Sequence, residues 1–470
     1  RLDEGGFVFR EEALSFGGSR GVAVLDLDGD GGRDLVFTQG YGSLLVYRDE
    51  GGDASSIERF ERSALRGVSA PAYAMDWADV DLDGDLDVLT GSYDSMVAKD
   101  RRDSFLFGRG GGVSLYLNQD GRFQEIRLAD ASQALAVALA DVNGDGYPDA
   151  IVGNDFAVPD ATFINPGQPG GPWTQQTPFP VTTRNTMSFD LADVNRDGRL
   201  DLFATDMKPT FQDPEVVVSW LPLLDDGYHE IRDSENQIPE NVLLQATPNG
   251  AYRNVAYRLG IDATGWSWSG RFADFNLDGV LDLYVVNGMI AQEAFPHLPG
   301  HALVETNKAF RGTTDGLEPA DDWGLDDVRS SRGLTIADID NDGDLDLAIN
   351  TLEAHAVVYE NRTCRGGHPL AVELAWPGSG NPDAVGSVVT LAVGTERYTQ
   401  PIRVTAGYLS GGPSTAHFGL PAGAEIDATW VAWPDGTVTR AQGIDPGTRV
   451  RLIRIDPDSV AMTHPRGDAQ

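Results

Sequence analysis

DLDGDGGRD at Asp26–Asp34 is the first of six nine-residue acidic stretches in this 470-residue chain. The others are DVDLDGDLD at Asp79–Asp87, DVNGDGYPD at Asp141–Asp149, DVNRDGRLD at Asp193–Asp201, DFNLDGVLD at Asp274–Asp282 and DIDNDGDLD at Asp338–Asp346. Positions 1, 3, 5 and 9 hold only Asp or Asn, and position 6 is always glycine. Ca²⁺ needs six to eight hard oxygens at about 2.3–2.6 Å from a chain that folds tightly round it, and the glycine lets the chain turn where a Cβ would resist. Mg²⁺ suits the pattern less well, because it demands strict octahedral geometry and gives up its waters reluctantly.

Each loop then supplies four side chains and the carbonyl of position 7. The expected ligands are Asp26, Asp28, Asp30 and Asp34 with Gly32 in the first loop, and Asp79, Asp81, Asp83 and Asp87 with Asp85 in the second. The third offers Asp141, Asn143, Asp145 and Asp149 with Tyr147, and the fourth Asp193, Asn195, Asp197 and Asp201 with Arg199. The fifth offers Asp274, Asn276, Asp278 and Asp282 with Val280, and the sixth Asp338, Asp340, Asp342 and Asp346 with Asp344. One Ca²⁺ per loop, up to six, is the expectation; the alternative is a set of acidic surface turns without metal.

An EF-hand opens in the same way but closes with a bidentate Glu at position 12 and lies between helices. Position 12 here is Phe37, Thr90, Val152, Ala204, Val285 or Ile349, none of them a ligand. The flanks, such as GVAVLDL before the first loop and DLVFTQG after it, are short and β-branched or aromatic, so each loop reads as the tip of a β-hairpin. Copies begin 53, 62, 52, 81 and 64 residues apart, and SLLVYRDE, VSLYLNQDG with RFQEIRLA, and HAVVYENR supply further strands between them. Four short strands per repeat at that pitch describe a propeller blade, and radial closure protects sheet edges.

These repeats resemble FG-GAP/VCBS repeats, the calcium-loop blades of integrin α-subunit propellers and many secreted bacterial proteins, over roughly residues 1–361. The resemblance implies an all-β fold with seven blades, whereas six loops are present; a six-bladed ring is the alternative. FVFREEALSF at the N-terminus is the expected outer strand of a seventh, metal-free blade. Residues 362–455 resemble the ASPIC/UnbV domain of cartilage acidic protein and its bacterial relatives. HPLAVELAWPGSGNPDAVGSVVTLAVG, GYLSGGPSTAHFGLP and VAWPDG carry that match. Relatives commonly have Gln in the segment matched by GYLSGG, so Gly411 is a departure. Read from its residues, this part has short alternating strands, PG and DG turns and no helical period, which predicts a small β domain. The stretch from Asp456 to Gln470 is polar and is expected to fray.

Seventy-two acids against 35 bases give a net charge of −37, and six Ca²⁺ would still leave about −25. Such a surface argues against nucleic acid or anionic lipid as partner. Extracellular calcium modules bind at about 10⁻⁴–10⁻³ M, far above resting cytosolic levels, which points to an extracellular or cell-surface location. Cys364 is the sole cysteine and cannot form an intrachain bridge. No apolar run reaches the roughly 18 residues of a membrane helix. No signal peptide is visible, and the start at Arg1 suggests a processed or trimmed chain.

With the metal loop joining the first two strands of a blade, the next connection emerges on the opposite face. There lie the long insertions at 91–112, 153–162, 205–240 and 287–302. Insertions collected on one face of a repeat protein often mark its binding face. VVVSWLPLL at Val216–Leu224 is expected there either as an exposed docking patch or as a lid over the propeller mouth. Tyr93, Arg101, Arg102, Phe156, Trp220 and His297 are the candidate partner-binding side chains. His297 and His301 are four apart but separated by Pro299, and neither an HExxH motif, a GxSxG elbow nor a P-loop is present. The expectation is therefore a non-enzymatic, calcium-stabilised module that binds a protein or glycan. The alternatives are a subunit of a larger surface complex and a propeller hydrolase or lyase acting on polysaccharide from a central channel. RGD at Arg466–Asp468 and the sequon at Asn361–Thr363 are read as incidental.

Overall fold

The computed structural model describes residues 2–3, 6–7, 18–52, 56–94, 111–155, 158–168, 170–210, 236–289, 304–362 and 366–465. It is almost entirely β, in six radial sheets followed by a two-sheet domain. In each radial sheet an acidic loop joins the first two strands, as the hairpin reading requires. Blade 1 runs Ser19–Leu25, Asp34–Gln39, Leu45–Asp49 and Phe60–Ser63. Blades 2 and 3 begin at Ala74–Ala78 and Ala134–Ala140, blades 4 and 5 at Ser188–Ala192 and Gly265–Ala273, and all four contain four blade strands. Blade 6, from Ser331–Ala337, has three among the described residues.

The first strand of blade 3 is made of alanines with Leu and Val. Ala134–Ala140, ALAVALA, is buried along nearly its whole length. Apolar layers fill the space between successive blades: Val36, Met75 and Trp77 between the first two, and Leu89, Val137 and Phe163 between the next pair. Phe189, Leu202 and Val242 continue the series, followed by Phe203, Phe272 and Leu283, then Tyr284, Leu334 and Leu347. Burying side chains of this size contributes about 1.5–3 kcal/mol each, so the ring is held mainly by these layers.

Six blades form among the described residues, the smaller of the two numbers expected. Leu2–Asp3 pairs with Gly6–Phe7 rather than with a blade, and the rest of the proposed outer strand lies outside the described residues. Between the first strands of blades 6 and 1 lies instead a two-residue strand, Ser410–Gly411, supplied by the C-terminal domain. Leu334 N donates to Ser410 Oγ (3.0 Å) and Thr335 Oγ1 to Gly411 O (2.9 Å) from blade 6. On the other side a Cβ at Gly411 would lie 2.6 Å from Val22 O of blade 1. That contact accounts for the glycine at 411: nothing larger fits.

The C-terminal domain packs two four-stranded sheets face to face. One runs Thr415–Pro421, Gly367–Ala375, Thr448–Asp456, Ser459–Thr463, with the central pair parallel. The other runs Glu396–Pro401, Val388–Val393, Ala428–Ala432, Val438–Ala441. Leu370, Val372, Leu391, Phe418, Val431, Trp433 and Leu452 form its core. Ser459–Thr463 pairs with Arg451–Asp456, so the stretch expected to fray is an edge strand as far as Thr463.

From this domain a hairpin, Thr405–Ala406 paired with Ser410–Gly411, descends into the axis of the propeller. Tyr408 at its tip packs on Tyr73, Leu135, Met187 and Trp268, from blades 2, 3, 4 and 5. Its backbone is gripped as well: Gly407 N donates to Phe189 O (2.9 Å) and Tyr408 N to Ser269 Oγ (3.2 Å). Asp76, 2% exposed, accepts bonds from Leu139 N, Arg403 Nη2 and Thr405 Oγ1, tying blades 2 and 3 to the hairpin. Asp190 holds the equivalent place in blade 4, three residues before its loop, and binds Arg271 Nε (3.0 Å) and Phe272 N (2.8 Å) of blade 5.

Candidate metal centres

The loops fold by one repeated scheme. Position 6 glycine donates its N–H to the position 1 carboxylate, as from Gly31 to Asp26 (3.0 Å), Gly146 to Asp141 (2.8 Å) and Gly279 to Asp274 (2.8 Å). Its φ lies between +85° and +98° in all six copies, which only glycine adopts cheaply. Position 7 donates to the position 5 carboxylate, from Gly32 to Asp30, Asp85 to Asp83 and Arg199 to Asp197. Position 4 is left-handed too, and four copies place a residue with a Cβ there: Leu82, Arg196, Leu277 and Asn341. Such a backbone costs about 1–2 kcal/mol per residue, which something in each loop must offset.

Position 9, an expected ligand, also has a structural part. Oδ2 of Asp34, Asp87, Asp149, Asp201, Asp282 and Asp346 accepts the N–H of its own loop's position 2 at 2.8–3.2 Å. Oδ1 accepts an N–H from the third strand or just beyond it: Asp49, Asn118, Asn165, Ala246, Gly312 and Asn361 at 2.7–2.9 Å. This carboxylate therefore staples the loop to its blade; in loop 1 Asp34 Oδ2 also accepts Arg48 Nη1 (2.6 Å), which uses its second lone pair.

The donor set fits Ca²⁺. Three acidic oxygens converge within 4.8 Å of one another in loop 1 (Asp26, Asp28, Asp30), loop 2 (Asp79, Asp81, Asp87) and loop 6 (Asp338, Asp340, Asp346). Loops 3, 4 and 5 have the neutral oxygen donors Asn143, Asn195 and Asn276 at position 3. Asp81 Oδ1 and Asp338 Oδ1 are buried and accept no hydrogen bond, an expensive arrangement for carboxylates unless a cation meets them. Burial, with help from neighbouring acids, pushes Asp79, Asp201 and Asp274 up to about 7 and Asp282 up to about 8. Asp149 and Asp193 rise to about 6 from the same leading cause, and Asp87 rises too. A divalent ion reverses that penalty by giving the carboxylates a counter-charge.

The face presented by these loops is covered. The C-terminal domain sits on it and touches five of the six. Arg33 of loop 1 pairs with Asp383, and Gly84 O of loop 2 accepts Ser379 Oγ at 2.5 Å. Arg196 of loop 4 lies over the Tyr398 ring at 5.8 Å. In loop 5 Asn276 O accepts Gly366 N (2.8 Å), and a Cβ at Gly419 would collide with Asp274 Oδ2. In loop 6 Gly343 O meets His417 Nε2 (2.8 Å), and Asn341 Oδ1 accepts Arg449 Nη1 (3.0 Å). Over loop 3 a cleft of about 520 Å³ opens instead, lined by Asn143, Tyr252, Val388 and Trp433.

The second-to-third-strand connections leave from the opposite face. Of the candidate partner residues there, Tyr93 is half-buried; its hydroxyl donates to Asp155 Oδ2 (2.8 Å), and its ring lies 5.2 Å from that of Tyr73. Arg101, Arg102, Phe156, Trp220 and His297 lie outside the described residues, as do Val216–Leu224, His301, Cys364 and Arg466–Asp468. A cavity of about 300 Å³ between blades 3 and 4 includes Asp160, Gln176, Phe179, Thr182 and Gln237, at the end of the 205–240 insertion. Asp160, which accepts Asn154 N and Thr186 Oγ1, is pushed up to about 7 by burial. The insertions 153–162 and 205–240 contribute Asp160, Thr162 and Gln237 to it, whereas Gln176, Phe179 and Thr182 had not been singled out in the sequence. At the sequon, Asn361 Nδ2 donates to Phe275 O and Leu345 O, tying blade 6 to loop 5.

Comparison with known proteins adds two family matches. Residues 26–90 and 99–152 match the FG-GAP-like repeat, and residues 377–458 match ASPIC and UnbV. None of the curated proteins compared matches the chain. Among solved structures the chain is similar to the V. cholerae biofilm matrix protein Bap1, at 14% identity and a TM-score of 0.33, over 96% of this chain. It spans 62% of that protein's length. It is also similar to SapL1 lectin in complex with alpha methyl fucoside, at 8% identity and TM-score 0.33, covering 74% of this chain and 96% of that one. BBS1N in complex with ARL6DN is similar at 11% identity and TM-score 0.32, over 79% and 92% of the two chains. Likeness this distant carries no ligand from those proteins to this one.

Proposed function

The chain carries FG-GAP-like repeats followed by a C-terminal ASPIC and UnbV domain, and from that premise we propose a calcium-stabilised binding module of the cell exterior. It recognises a protein or a glycan through the insertions on the face opposite the calcium loops. One observation carries the reading: the loop face is occupied by the chain's own C-terminal domain, so the inserted face is the one left for a partner. The 300 Å³ cavity at the foot of the longest insertion supports it, being of the size and mainly apolar lining that small ligands or partner side chains use.

A channel reaction is disfavoured by the same architecture, because Tyr408 and its hairpin fill the axis where other propellers place substrates. No helix among the described residues is long and apolar enough to cross a membrane. The net charge of −37 directs the search toward neutral or basic partners rather than nucleic acid. The test is a glycan array and a pull-down from the native envelope. Full-length protein is compared with a variant whose residues 211–235 are replaced by a Gly/Ser linker. Capture lost in the variant supports the reading; capture retained by it, with loss when the C-terminal domain is altered, overturns it.

A further inference from the structure

Besides its hairpin's contacts with the blades, the C-terminal domain meets three of the acidic loops through their backbone carbonyls. Asn276 O, Gly84 O and Gly343 O accept its bonds, and each carbonyl belongs to a loop residue at position 3 or 6. Those positions are set by where the loop's carboxylates point. In loops 2 and 6 one oxygen of each of two carboxylates, Asp81 Oδ1 and Asp338 Oδ1, accepts no hydrogen bond. A loop that relaxes would therefore move the atoms on which the domain is seated. The hub hairpin belongs to the same domain but is held by the blade strands: Arg403 and Thr405 fix it to Asp76, and Gly407, Tyr408 and Ser410 fix it to blades 4, 5 and 6.

We propose that Ca²⁺ in the capped loops, above all loop 5, is what docks the C-terminal domain, so that the ion governs whether the hub hairpin stays in the propeller axis. Loop 5 is singled out because the domain reaches it through Gly366 N and through Gly419, which packs directly on Asp274. Loop 3 is the internal control, since a cleft separates it from the domain. Coupling of this kind is reciprocal: docking raises calcium affinity at the capped loops by the factor that calcium raises docking.

The experiment compares the full chain with two variants altered at the same loop position, Asp278→Asn in loop 5 and Asp145→Asn in loop 3. Each is followed by hydrogen exchange at saturating Ca²⁺ and after chelation, with bound calcium counted by elemental analysis. Asp278 and Asp145 are chosen over the position 9 residues because neither staples its loop to the blade. For the unaltered protein, chelation should speed exchange at Gly407, Tyr408 and Gly412 by about tenfold or more, the factor by which one site at ten times its Kd favours the bound form. Strand Asp149–Asn154 should stay protected. Asp278→Asn should reproduce the hairpin's loss of protection in Ca²⁺, and Asp145→Asn should not, although each lacks about one ion. Equal effects of the two variants, no effect of either, or simultaneous loss of protection by hairpin and blades would overturn the proposal. A propeller that binds calcium without this coupling would leave the hairpin's exchange independent of the ion.

Discussion

Stripping calcium should make the stability of this protein fall as pH rises, opposite to the usual behaviour of carboxylate-rich proteins. Asp79, Asp201 and Asp274 are pushed to about 7, Asp282 to about 8, and Asp149 and Asp193 to about 6, all chiefly by burial. An acid whose folded pKa is raised binds its proton more tightly in the folded state. The associated stability is complete below the unfolded value near 3.8 and is lost as pH climbs through the folded one. The window is therefore about pH 4 to 8. Crediting each of these six groups with a single unit, at about 1.4 kcal/mol per unit, gives a loss of about 8 kcal/mol. For 470 residues the unfolding entropy is about 1 kcal/mol per kelvin, so the calcium-free melting temperature should drop by about 8 °C across that window. The assay is differential scanning calorimetry of chelator-treated, desalted protein at pH 5, 6, 7 and 8, with matched Mg²⁺ and Ca²⁺ samples. Adding Ca²⁺ should restore the melt most at pH 8 and least at pH 5. A calcium-free melt that is flat or rises with pH, or one that Mg²⁺ restores equally, would refute the assignment of these acids to a calcium site.

Three further outcomes follow from the hub and the loops. Asp76→Ala leaves Arg403 buried without its carboxylate and should cost about 3–5 kcal/mol by urea denaturation, with Asp76→Asn costing less. Gly411→Gln should destabilise by about 1–3 kcal/mol, because its Cβ meets Val22 O; a neutral melt would mean the first blade yields. Asp34→Ala removes two backbone acceptors at once, so exchange at the Leu27 and Asp49 amides should quicken even in saturating Ca²⁺, which a purely metal-ligating role would not predict.

The acidic loops and their hairpin setting were legible because alternating acids and an obligatory glycine are local facts. The second role of position 9 was not, since Asp34 and its counterparts bond to third strands whose register no spacing reveals. The left-handed backbone at position 4 was concealed by Leu82, Arg196 and Leu277, residues that give no sign of it. Seven blades were implied by resemblance with six as the alternative, and the described residues form six, with Ser410–Gly411 between the first strands of blades 6 and 1. Adjacent glycines in a strand were the available clue to that close backbone approach. The seating of the C-terminal domain had no signal at all. Arg33 and Asp383 are 350 residues apart and either reads as ordinary surface. The edge strand Ser459–Thr463 was missed because its outward face is polar, as edge strands commonly are.

The hairpin that fills the axis also orders events in time. Tyr73 and Tyr408, whose hydroxyls meet at 3.0 Å, are 335 residues apart, and Val22 waits longer still for Gly411. At about 5–20 residues per second a ribosome takes roughly 20–80 s to deliver the second partner after the first. Throughout that interval the nascent blades have neither axis nor seam, and the exposed edge of Ser19–Leu25 must be shielded or left unpaired. Closure therefore waits for Thr405–Gly411, and a chain halted before that hairpin is an open ring rather than a shorter propeller.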